Sequence, residues 1–202
     1  MKKFSLTLLR HGETIAKNCL NGHHNVALSP LGEQQMQQAL ASIPTVDAVV
    51  SSPLNRCSVQ AQSYAKANSL PYQVTEQFKE MDFGKWDGKS FDYLYQHYPQ
   101  QLDLFWQDPW NNPPPSGESV EQFYQRVDLA WHQVIVQEKN TLIVCHGGVI
   151  RYIIAKVLGL PLSGNQHLIA LKIDYAAVIT IDVVIDDKGK IWHTLVWPNT
   201  YA

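Results

Sequence analysis

Two arginines and two histidines follow three apolar runs of this chain at short distances. Arg10 and His11 come directly after the run FSLTLL, Arg56 lies four residues beyond DAVVSS, and His146 comes directly after TLIVC. The guanidinium group of arginine carries a planar fork of N–H donors that matches phosphate oxygens, and imidazole is a competent nucleophile towards phosphorus. If the three runs end near one another, these side chains predict chemistry on a phosphoryl group.

Glycines stand beside the histidines in two of these places. Gly12 follows His11, and the pair Gly147 and Gly148 follows His146. A residue without a Cβ lets the backbone approach a ligand closely, and the N–H groups at the start of a helix favour an anion. We therefore predict a phosphate-binding group that includes Arg10, Arg56, His146 and Gly147.

Each of the three runs is a predicted buried strand that leads into a predicted helix. The strands cover residues 4–9, 47–52 and 141–145, where apolar and β-branched side chains are concentrated. Three strand-to-helix units predict an α/β fold, a three-layer sandwich with a mostly parallel central sheet flanked by helices. The carboxyl ends of parallel strands meet at one edge of the sheet, so the four charged or imidazole side chains are expected to converge there.

Capping residues mark the starts of the predicted helices. Ser29 is predicted to cap a helix that begins at Pro30, in the segment LSPLGEQQMQQAL. The same pattern of a serine followed by a proline occurs in SSPLNRCSVQAQ. It predicts that Ser52 caps a second helix with Pro53 at its first position.

The rest of the chain contains a long helix, an aromatic segment and C-terminal strands. Apolar residues recur at helical spacing in SVEQFYQRVDLAWHQVIVQE, where Ser119 and Gln122 predict a capping box. Residues 82–118 are rich in aromatic side chains and end in a proline-rich stretch, which predicts a partly helical insertion over one edge of the sheet. The last segment predicts two or three strands, with a hairpin turn at residues 186–189. We assign residues 1–202 to a single domain.

Composition excludes several classes of partner. The net charge is -2, 17% of the residues are charged, and no basic stripe is present, so neither a nucleic acid nor a membrane is an expected partner. Arg10 interrupts the first apolar stretch too early for the core of a signal peptide. We therefore expect a cytoplasmic protein that acts on a small molecule.

Cysteine and histidine spacing argues against a metal site. Cys19, Cys57 and Cys145 are far apart and form no C-x-x-C pair, which is typical of a reducing compartment and not of a disulfide framework or a zinc site. His23 and His24 are adjacent, and adjacent side chains on an extended chain point apart. We predict that the protein uses no metal and no cofactor.

Taken together, the motifs resemble those of the histidine phosphatase superfamily, in the branch that contains the cofactor-dependent phosphoglycerate mutases and many small phosphatases. The matching segments occur in family order from about residue 4 to residue 160: LLRHGET, LSPLGEQQ, SSPLNRCSVQAQ, GESVEQFYQRV and VCHGGVIR. The resemblance implies a phosphoglycerate mutase-like fold and a ping-pong phosphoryl transfer. His11 would be the nucleophile and would form a phosphohistidine, while Arg10, Arg56 and His146 would hold the phosphoryl oxygens.

The resemblance also implies a glutamate that acts as acid and base. The superfamily places this residue in the segment that reads QFKEMDFGKWDG here, which makes Glu80 the candidate. Glu76 and Asp82 are the nearby alternatives. From its own neighbours, a glutamate beside Lys79 is typical of a solvated surface.

The chain departs from the superfamily pattern in the loop after the nucleophile. An asparagine is usual six residues beyond the nucleophilic histidine, but Lys17 occupies that place and Asn18 follows it. Two arrangements remain open: Asn18 reaches the phosphate after a shift of one residue, or Lys17 replaces the amide with a cation. We include Asn18 in the predicted phosphate-binding group.

Within the superfamily, KEMDFGKWDG is similar to a segment of the α-ribazole 5'-phosphate phosphatases of cobalamin assembly. That resemblance implies hydrolysis of α-ribazole 5'-phosphate, or of adenosylcobalamin 5'-phosphate, and a homodimer is an expectation of the superfamily as a whole. The flat base would pack between aromatic walls, for which the candidates are Trp86, Phe105, Trp106 and Trp110. Alternatively, these side chains only pack the insertion against the sheet.

Other functions remain as alternatives. A broad-specificity sugar-phosphate phosphatase or a phosphoglycerate mutase-like enzyme would share most of the motifs. A catalytically silent phosphate-binding regulatory protein belongs to a different class, and it would form no phosphohistidine and turn over no phosphomonoester.

Overall fold

The computed structural model describes residues 1–161, 163 and 170–197. Six strands form one sheet: β1 (Lys2–Arg10), β2 (Ala48–Ser51), β3 (Tyr72–Val74), β4 (Thr141–Cys145), β5 (Val178–Ile185) and β6 (Ile191–Val196). The described residues also form six α-helices: α1 (Pro30–Ala41), α2 (Asn55–Ala67), α3 (Phe91–His97), α4 (Pro99–Gln107), α5 (Val120–Ile135) and α6 (Gly147–Val157). Single 3₁₀ turns cover Glu76–Phe78 and Gly84–Trp86.

The sheet is mostly parallel, which confirms the predicted architecture. Its strand order is β3-β2-β4-β1-β5-β6. The four strands from β3 to β1 run parallel to one another, whereas β5 and β6 pair in the antiparallel direction. The carboxyl ends of β2, β4 and β1 therefore lie side by side.

Helices cover both faces because the buried strands alternate between two apolar clusters. Leu8 and Ile143 belong to a cluster that includes residues of α5 and α6. Their neighbours Leu9 and Val144 belong to a cluster with residues of α1 and α2. Since successive side chains of a strand point to opposite faces, this alternation places the sheet between two helical layers.

Two of the three predicted helix starts are confirmed. The Ser29 side chain accepts a hydrogen bond from Gly32 N, with Pro30 as the first helical residue. Ser119 and Gln122 form the full capping box of α5.

The predicted cap of α2 is wrong. The helix begins at Asn55, and Leu54 occupies the cap position without a side-chain hydrogen bond. The Ser52 hydroxyl lies 2.8 Å from His146 Nε2 instead, so it is engaged by a side chain of another element.

The aromatic segment and the C-terminal strands agree with expectation in their secondary structure. Residues 82–118 contain α3 and α4, and they contribute buried Trp86 and Phe105 to the cluster of α5 and α6. Residues 186–189 lie in the turn between β5 and β6, where Asp186 N donates to Lys190 O over 3.0 Å. Strand β3, only three residues long, was not predicted. In the part of the chain that the structure describes, no helix has the length and apolarity needed to cross a membrane.

Candidate active site

Three strand ends build the candidate site. Arg10 at the end of β1 is opposite Cys145 of β4, and Ser51 of β2 is opposite Val144. His11 and His146 come one residue after their strands, and their rings meet edge to face with centroids 5.2 Å apart. The sequence-predicted convergence at the carboxyl edge of the sheet is therefore present.

His11 is held with one ring nitrogen free. Its Nδ1 lies 2.7 Å from the carbonyl oxygen of Gly12, an acceptor, so Nδ1 carries the proton and Nε2 keeps its lone pair. Burial lowers the pKa of His11 well below its usual range, and the positive charges of Arg56 and Arg10 lower it further. The hydrogen bond to the Gly12 carbonyl raises the pKa but does not offset these effects. His11 is thus a neutral imidazole, the form in which it can act as a nucleophile.

Arg10 presents an unsatisfied donor. Its Nη1 donates to Ile173 O, and its guanidinium lies 4.2 Å from the centroid of the Tyr175 ring. Its Nε is buried and has no hydrogen-bond partner among the described residues. Buried N–H groups are nearly always paired, so this donor is suited to an acceptor supplied by a ligand.

His146 and Arg56 are bonded to each other. Arg56 Nε donates to His146 Nδ1 over 3.3 Å, which leaves the proton on Nε2, from where it is donated to Ser52. Both side chains are fully buried. Burial, and then the charge of Arg56, lowers the pKa of His146 well below its usual range, so this ring is neutral as well.

Arg56 is also bonded to a loop. Its two Nη atoms donate to the carbonyl oxygens of Asn21, Gly22 and His24, so four of its hydrogen bonds go to described protein atoms. Neither Arg56 nor His146 lines the cavity beside His11. The structure brings them to the site but commits their donors to protein acceptors.

Glu80 contacts the start of α6, just beyond the end of β4. Its Oε2 accepts from Gly148 N over 3.0 Å and its Oε1 accepts from Met81 N over 3.1 Å. Glu80, His11 and Arg10 all line the same cavity. The absence of a side chain at Gly148 allows this contact, because a Cβ there would displace Glu80 Oε1.

The two alternative acids lie elsewhere. Glu76 forms an exposed ion pair with Lys79, at 2.6 Å. Asp82 accepts from Gly84 N over 2.8 Å and so holds a turn. Neither carboxylate lines the cavity.

Asn18 and Lys17 are not brought to the cavity. Asn18 is exposed and has a left-handed backbone, with φ 53°, and Lys17 pairs with Glu13 at 3.1 Å. Asn21 lines the cavity instead. Its Nδ2 donates to Ala16 O, and its buried Oδ1 has no partner in the part of the chain that the structure describes. An unpaired acceptor of this kind suits a hydroxyl group of a ligand better than a phosphate oxygen.

The cavity measures about 320 Å³ and most of its wall is apolar. Phe105 and Trp106 line it, as expected of aromatic walls, whereas Trp86 is fully buried in the core and Trp110 packs near Tyr124. Further aromatic side chains of the wall are Phe83, Phe91, Phe123 and Tyr175.

Arg151 and Tyr175 are among the residues of the wall that were not predicted. Arg151 lies one turn beyond Gly147 on α6, and this spacing of four residues could have identified it as facing the same way. Tyr175 has its ring centroid 5.8 Å from that of His11. No local pattern marks Tyr175, because only the return of the chain before β5 brings it to the site.

Among the described residues, no group of three or more histidine, cysteine, aspartate or glutamate side chains is placed to hold a metal ion.

Comparison with known proteins gives one family and several relatives. The model of the histidine phosphatase superfamily (branch 1) matches residues 6–197. The adenosylcobalamin/alpha-ribazole phosphatase of Escherichia coli (strain K12) is 30% identical over 185 residues, which cover 88% of this chain and 89% of the relative.

Solved structures resemble the chain over nearly its whole length. The alpha-ribazole phosphatase from Shigella flexneri superposes with a TM-score of 0.82 at 27% identity, covering 98% of this chain and 96% of the other. A mycobacterial glucosyl-3-phosphoglycerate phosphatase gives 0.80 at 25% identity, covering 97% and 99%.

Proposed function

This chain belongs to branch 1 of the histidine phosphatase superfamily, and from that premise we propose that it hydrolyses α-ribazole 5'-phosphate through a phosphohistidine on His11. Membership of the superfamily makes it a phosphatase that acts on a small phosphomonoester. The observation that carries the proposal is one cavity in which His11, Arg10 and Glu80 face a wall of aromatic side chains. Adenosylcobalamin 5'-phosphate carries the same phosphorylated ribose and is the larger alternative substrate.

In the first half of the proposed reaction, His11 Nε2 attacks phosphorus in line with the bond to the ribose oxygen. The N–P bond forms as the P–O bond breaks, and protonated Glu80 gives its proton to the leaving oxygen. The free Arg10 Nε–H binds a phosphoryl oxygen as charge redistributes.

The second half reverses the roles. Glu80 takes a proton from a water molecule, the water oxygen attacks phosphorus, and the N–P bond breaks to release inorganic phosphate and restore neutral His11. Water needs no metal for this step, because Glu80 supplies the base and the phosphohistidine supplies the electrophile.

Arg56, His146, Gly147 and Asn18 stay in the proposal as predicted phosphate ligands. For Arg56, direct contact with a phosphoryl oxygen requires that it give up a bond to a loop carbonyl or use its remaining N–H. The exposed position of Asn18 gives no support to its predicted contact with phosphate. Asn21, which lines the cavity, is better placed to contact a substrate, and its partner there would be a hydroxyl group.

Aromatic side chains and a free amide oxygen support the proposed substrate. The dimethylbenzimidazole base of α-ribazole is flat and apolar, and it would pack against Phe105 and Trp106. A ribose hydroxyl would donate to Asn21 Oδ1, which has no partner among residues 1–161, 163 and 170–197.

Arg151 is the observation that favours the alternative of a sugar-phosphate phosphatase or mutase-like enzyme. It adds a second cation to the cavity wall, beside Arg10. A substrate with a second acidic group, such as a phosphoglycerate, would bind it by a charge-assisted bond.

A kinetic comparison in the presence of a chelator tests the proposal. We expect kcat/KM for α-ribazole 5'-phosphate to exceed the values for fructose 2,6-bisphosphate, 3-phosphoglycerate and a phosphoserine peptide by at least about tenfold, since the apolar wall discriminates by one to three kcal/mol. A higher kcat/KM for 3-phosphoglycerate would contradict the proposed substrate and favour a sugar-phosphate phosphatase or mutase-like enzyme. If the protein hydrolysed none of these phosphomonoesters, the proposal that it is a phosphatase would be contradicted.

We also propose that residues 1–202 act as one domain without a metal or other cofactor, and that the protein works in the cytoplasm. A homodimer and the absence of nucleic-acid and membrane partners stay predictions. Light scattering of the purified chain would establish its oligomeric state.

A further inference from the structure

We propose that the ion pair of Arg126 and Glu118 is a positioning device that sets the place of the Glu80 carboxylate. The inference rests on the proposed role of Glu80 as acid and base. Neither Arg126 nor Glu118 lines the cavity, so both would act through the segment that carries Glu80.

The segment that carries Glu80 has little regular structure of its own. After the 3₁₀ turn Glu76–Phe78, residues 79–83 belong to no helix or strand. Backbone of this kind keeps a fixed path only where other groups satisfy its N–H and C=O groups.

Arg126, on α5, supplies those contacts from one side. Its Nη1 donates to Gln77 O over 2.7 Å and to Lys79 O over 2.8 Å, and its Nη2 donates to Glu80 O over 2.8 Å. One guanidinium group therefore binds three carbonyl oxygens within four residues, including that of the proposed acid.

Glu118 supplies the contacts from the other side. Its Oε1 accepts from Asp82 N over 2.7 Å, and its own N–H donates to Asp82 O over 3.1 Å. Its Oε2 accepts from Arg126 Nε over 2.9 Å. The side chains of the pair are only 20% and 14% exposed, so the loss of one partner leaves the other poorly solvated and unpaired.

The position of the Glu80 carboxylate matters for its proposed role. The carboxylate bonds to Gly148 N, and a Cβ at Gly148 would press against its Oε1. A shift of the carboxylate by about 1 Å is enough to cost roughly a hundredfold in rate where a catalytic group must be aligned. Arg126 also lies over the ring of Phe123, 4.9 Å from its centroid, and Phe123 lines the cavity.

The test compares kcat/KM for two substrates whose leaving groups differ in their need for a proton. Hydrolysis of p-nitrophenyl phosphate needs little help from an acid, because nitrophenolate leaves unprotonated, whereas glycerol 1-phosphate needs its leaving oxygen protonated. For Arg126→Gln we expect kcat/KM to fall by about 30-fold or more with glycerol 1-phosphate and by less than about threefold with p-nitrophenyl phosphate. When Glu80 has already been replaced by Gln, adding Arg126→Gln should lower kcat/KM for glycerol 1-phosphate only slightly further.

Two further variants keep the inference falsifiable. Glu118→Gln retains the shape and one acceptor oxygen, so it serves if Arg126→Gln fails to fold, and it should show the same dependence on leaving group. Asp128→Asn is the matched control, because it breaks another ion pair of α5, with Lys156, away from the cavity. It should change both rates by less than about twofold.

The outcomes separate the inference from the function on which it rests. If Glu80→Gln lowers both rates equally, Glu80 is not the acid. If Glu80→Gln is selective but Arg126→Gln and Glu118→Gln lower both rates equally, or add fully to Glu80→Gln, the pair is merely structural and the inference fails. Failure of α-ribazole 5'-phosphate as a substrate affects neither comparison.

Discussion

The two ring nitrogens of His11 have different surroundings, and this difference determines where a phosphoryl group can attach. Nδ1 is occupied by the Gly12 carbonyl, so Nε2 is the nitrogen that is free to attack. Lowering of its pKa by burial and by two arginines keeps Nε2 unprotonated in neutral solution. The two arginines that are predicted to bind the phosphoryl group therefore also help to keep the proposed nucleophile neutral.

Replacing His11 should remove the phosphoenzyme. In His11→Asn we expect hydrolysis to fall by roughly 10⁴-fold or more, because the nucleophile itself is lost. Phosphate trapped on the wild type by acid-free quenching should reside on Nε2, which an antibody specific for that phosphohistidine isomer detects. His132→Ala removes an exposed histidine of α5 and should leave trapping unchanged. Phosphate trapped on His11→Asn, or the Nδ1 isomer on the wild type, would contradict this assignment.

Among the individual residues of the site, those next to the strand ends can be predicted from the sequence, whereas most of the others cannot. Arg10, His11 and His146 follow from their position after apolar runs. The loop after His11 does not, because the predicted candidates Asn18 and Lys17 are both exposed, whereas Asn21, which was not predicted, lines the cavity. Tyr175 comes from a distant part of the chain and no local pattern marks it.

The loop at residues 21–24 is held between two charged groups of different elements. Arg56 of α2 binds its carbonyl oxygens. Asp87 accepts from its N–H groups, with distances of 2.9 Å to Gly22 N, 2.6 Å to His23 N and 3.1 Å to His24 N. Because the two groups bind opposite ends of the peptide dipoles, each supports the contact that the other makes.

Asp87→Asn should loosen this loop. The amide keeps one acceptor oxygen and turns an NH₂ group towards a backbone donor, so at least one buried N–H loses its partner. We expect the free energy of unfolding to fall by about 1–3 kcal/mol and KM to rise, since Asn21 belongs to the same loop. Urea unfolding and steady-state kinetics measure the two effects.

The control for this change is Asp103→Asn. Asp103 is an exposed aspartate within α4, and its replacement should alter stability by less than about 0.5 kcal/mol. Equal effects of the two substitutions would show that the Asp87 contacts contribute nothing particular.

Element by element, the sequence is informative where local chemistry decides. Ser29 and the Ser119–Gln122 box cap helices as predicted, and Ser29 can do so while its hydroxyl also donates to Glu13 Oε1, because the hydroxyl oxygen remains an acceptor for Gly32 N. Ser52 has the same local sequence signal but bonds to His146, so its role is decided by the tertiary structure. The three residues of β3 are too few to form a recognisable pattern.

Two buried neutral histidines make the stability of the whole molecule depend on pH. His11 and His146 have pKa values well below 6.5 in the folded chain, while the unfolded chain has ordinary values. Below pH 6.5 the unfolded chain therefore binds protons that the folded chain does not. Stability is highest above that pH and falls below it, by about 1.4 kcal/mol per pH unit for each histidine.

Comparison with a variant isolates this effect from the titration of carboxylates. Between pH 6 and pH 5, the free energy of unfolding of His11→Asn should decline less steeply than that of the wild type, by about 1.4 kcal/mol per pH unit. Urea unfolding at each pH gives both slopes. Parallel declines would mean that His11 is protonated in the folded state.

The fold class could be predicted because three strand-to-helix units leave few architectures. The order of the strands could not, since β1 pairs with β4 on one side and β5 on the other. Both partners come from the last third of the chain, and no local pattern reports which distant strands pair.

The central place of β1 has a consequence for synthesis. Strand β1 is synthesised well before β4 and β5, the two strands with which it pairs, so its Leu6 and Leu8 lack these neighbours in the nascent chain until both strands have emerged. The catalytic edge cannot form before then, because Arg10 and His11 are carried by this strand. Chaperones that bind apolar segments should therefore find β1 accessible until β4 and β5 have been synthesised.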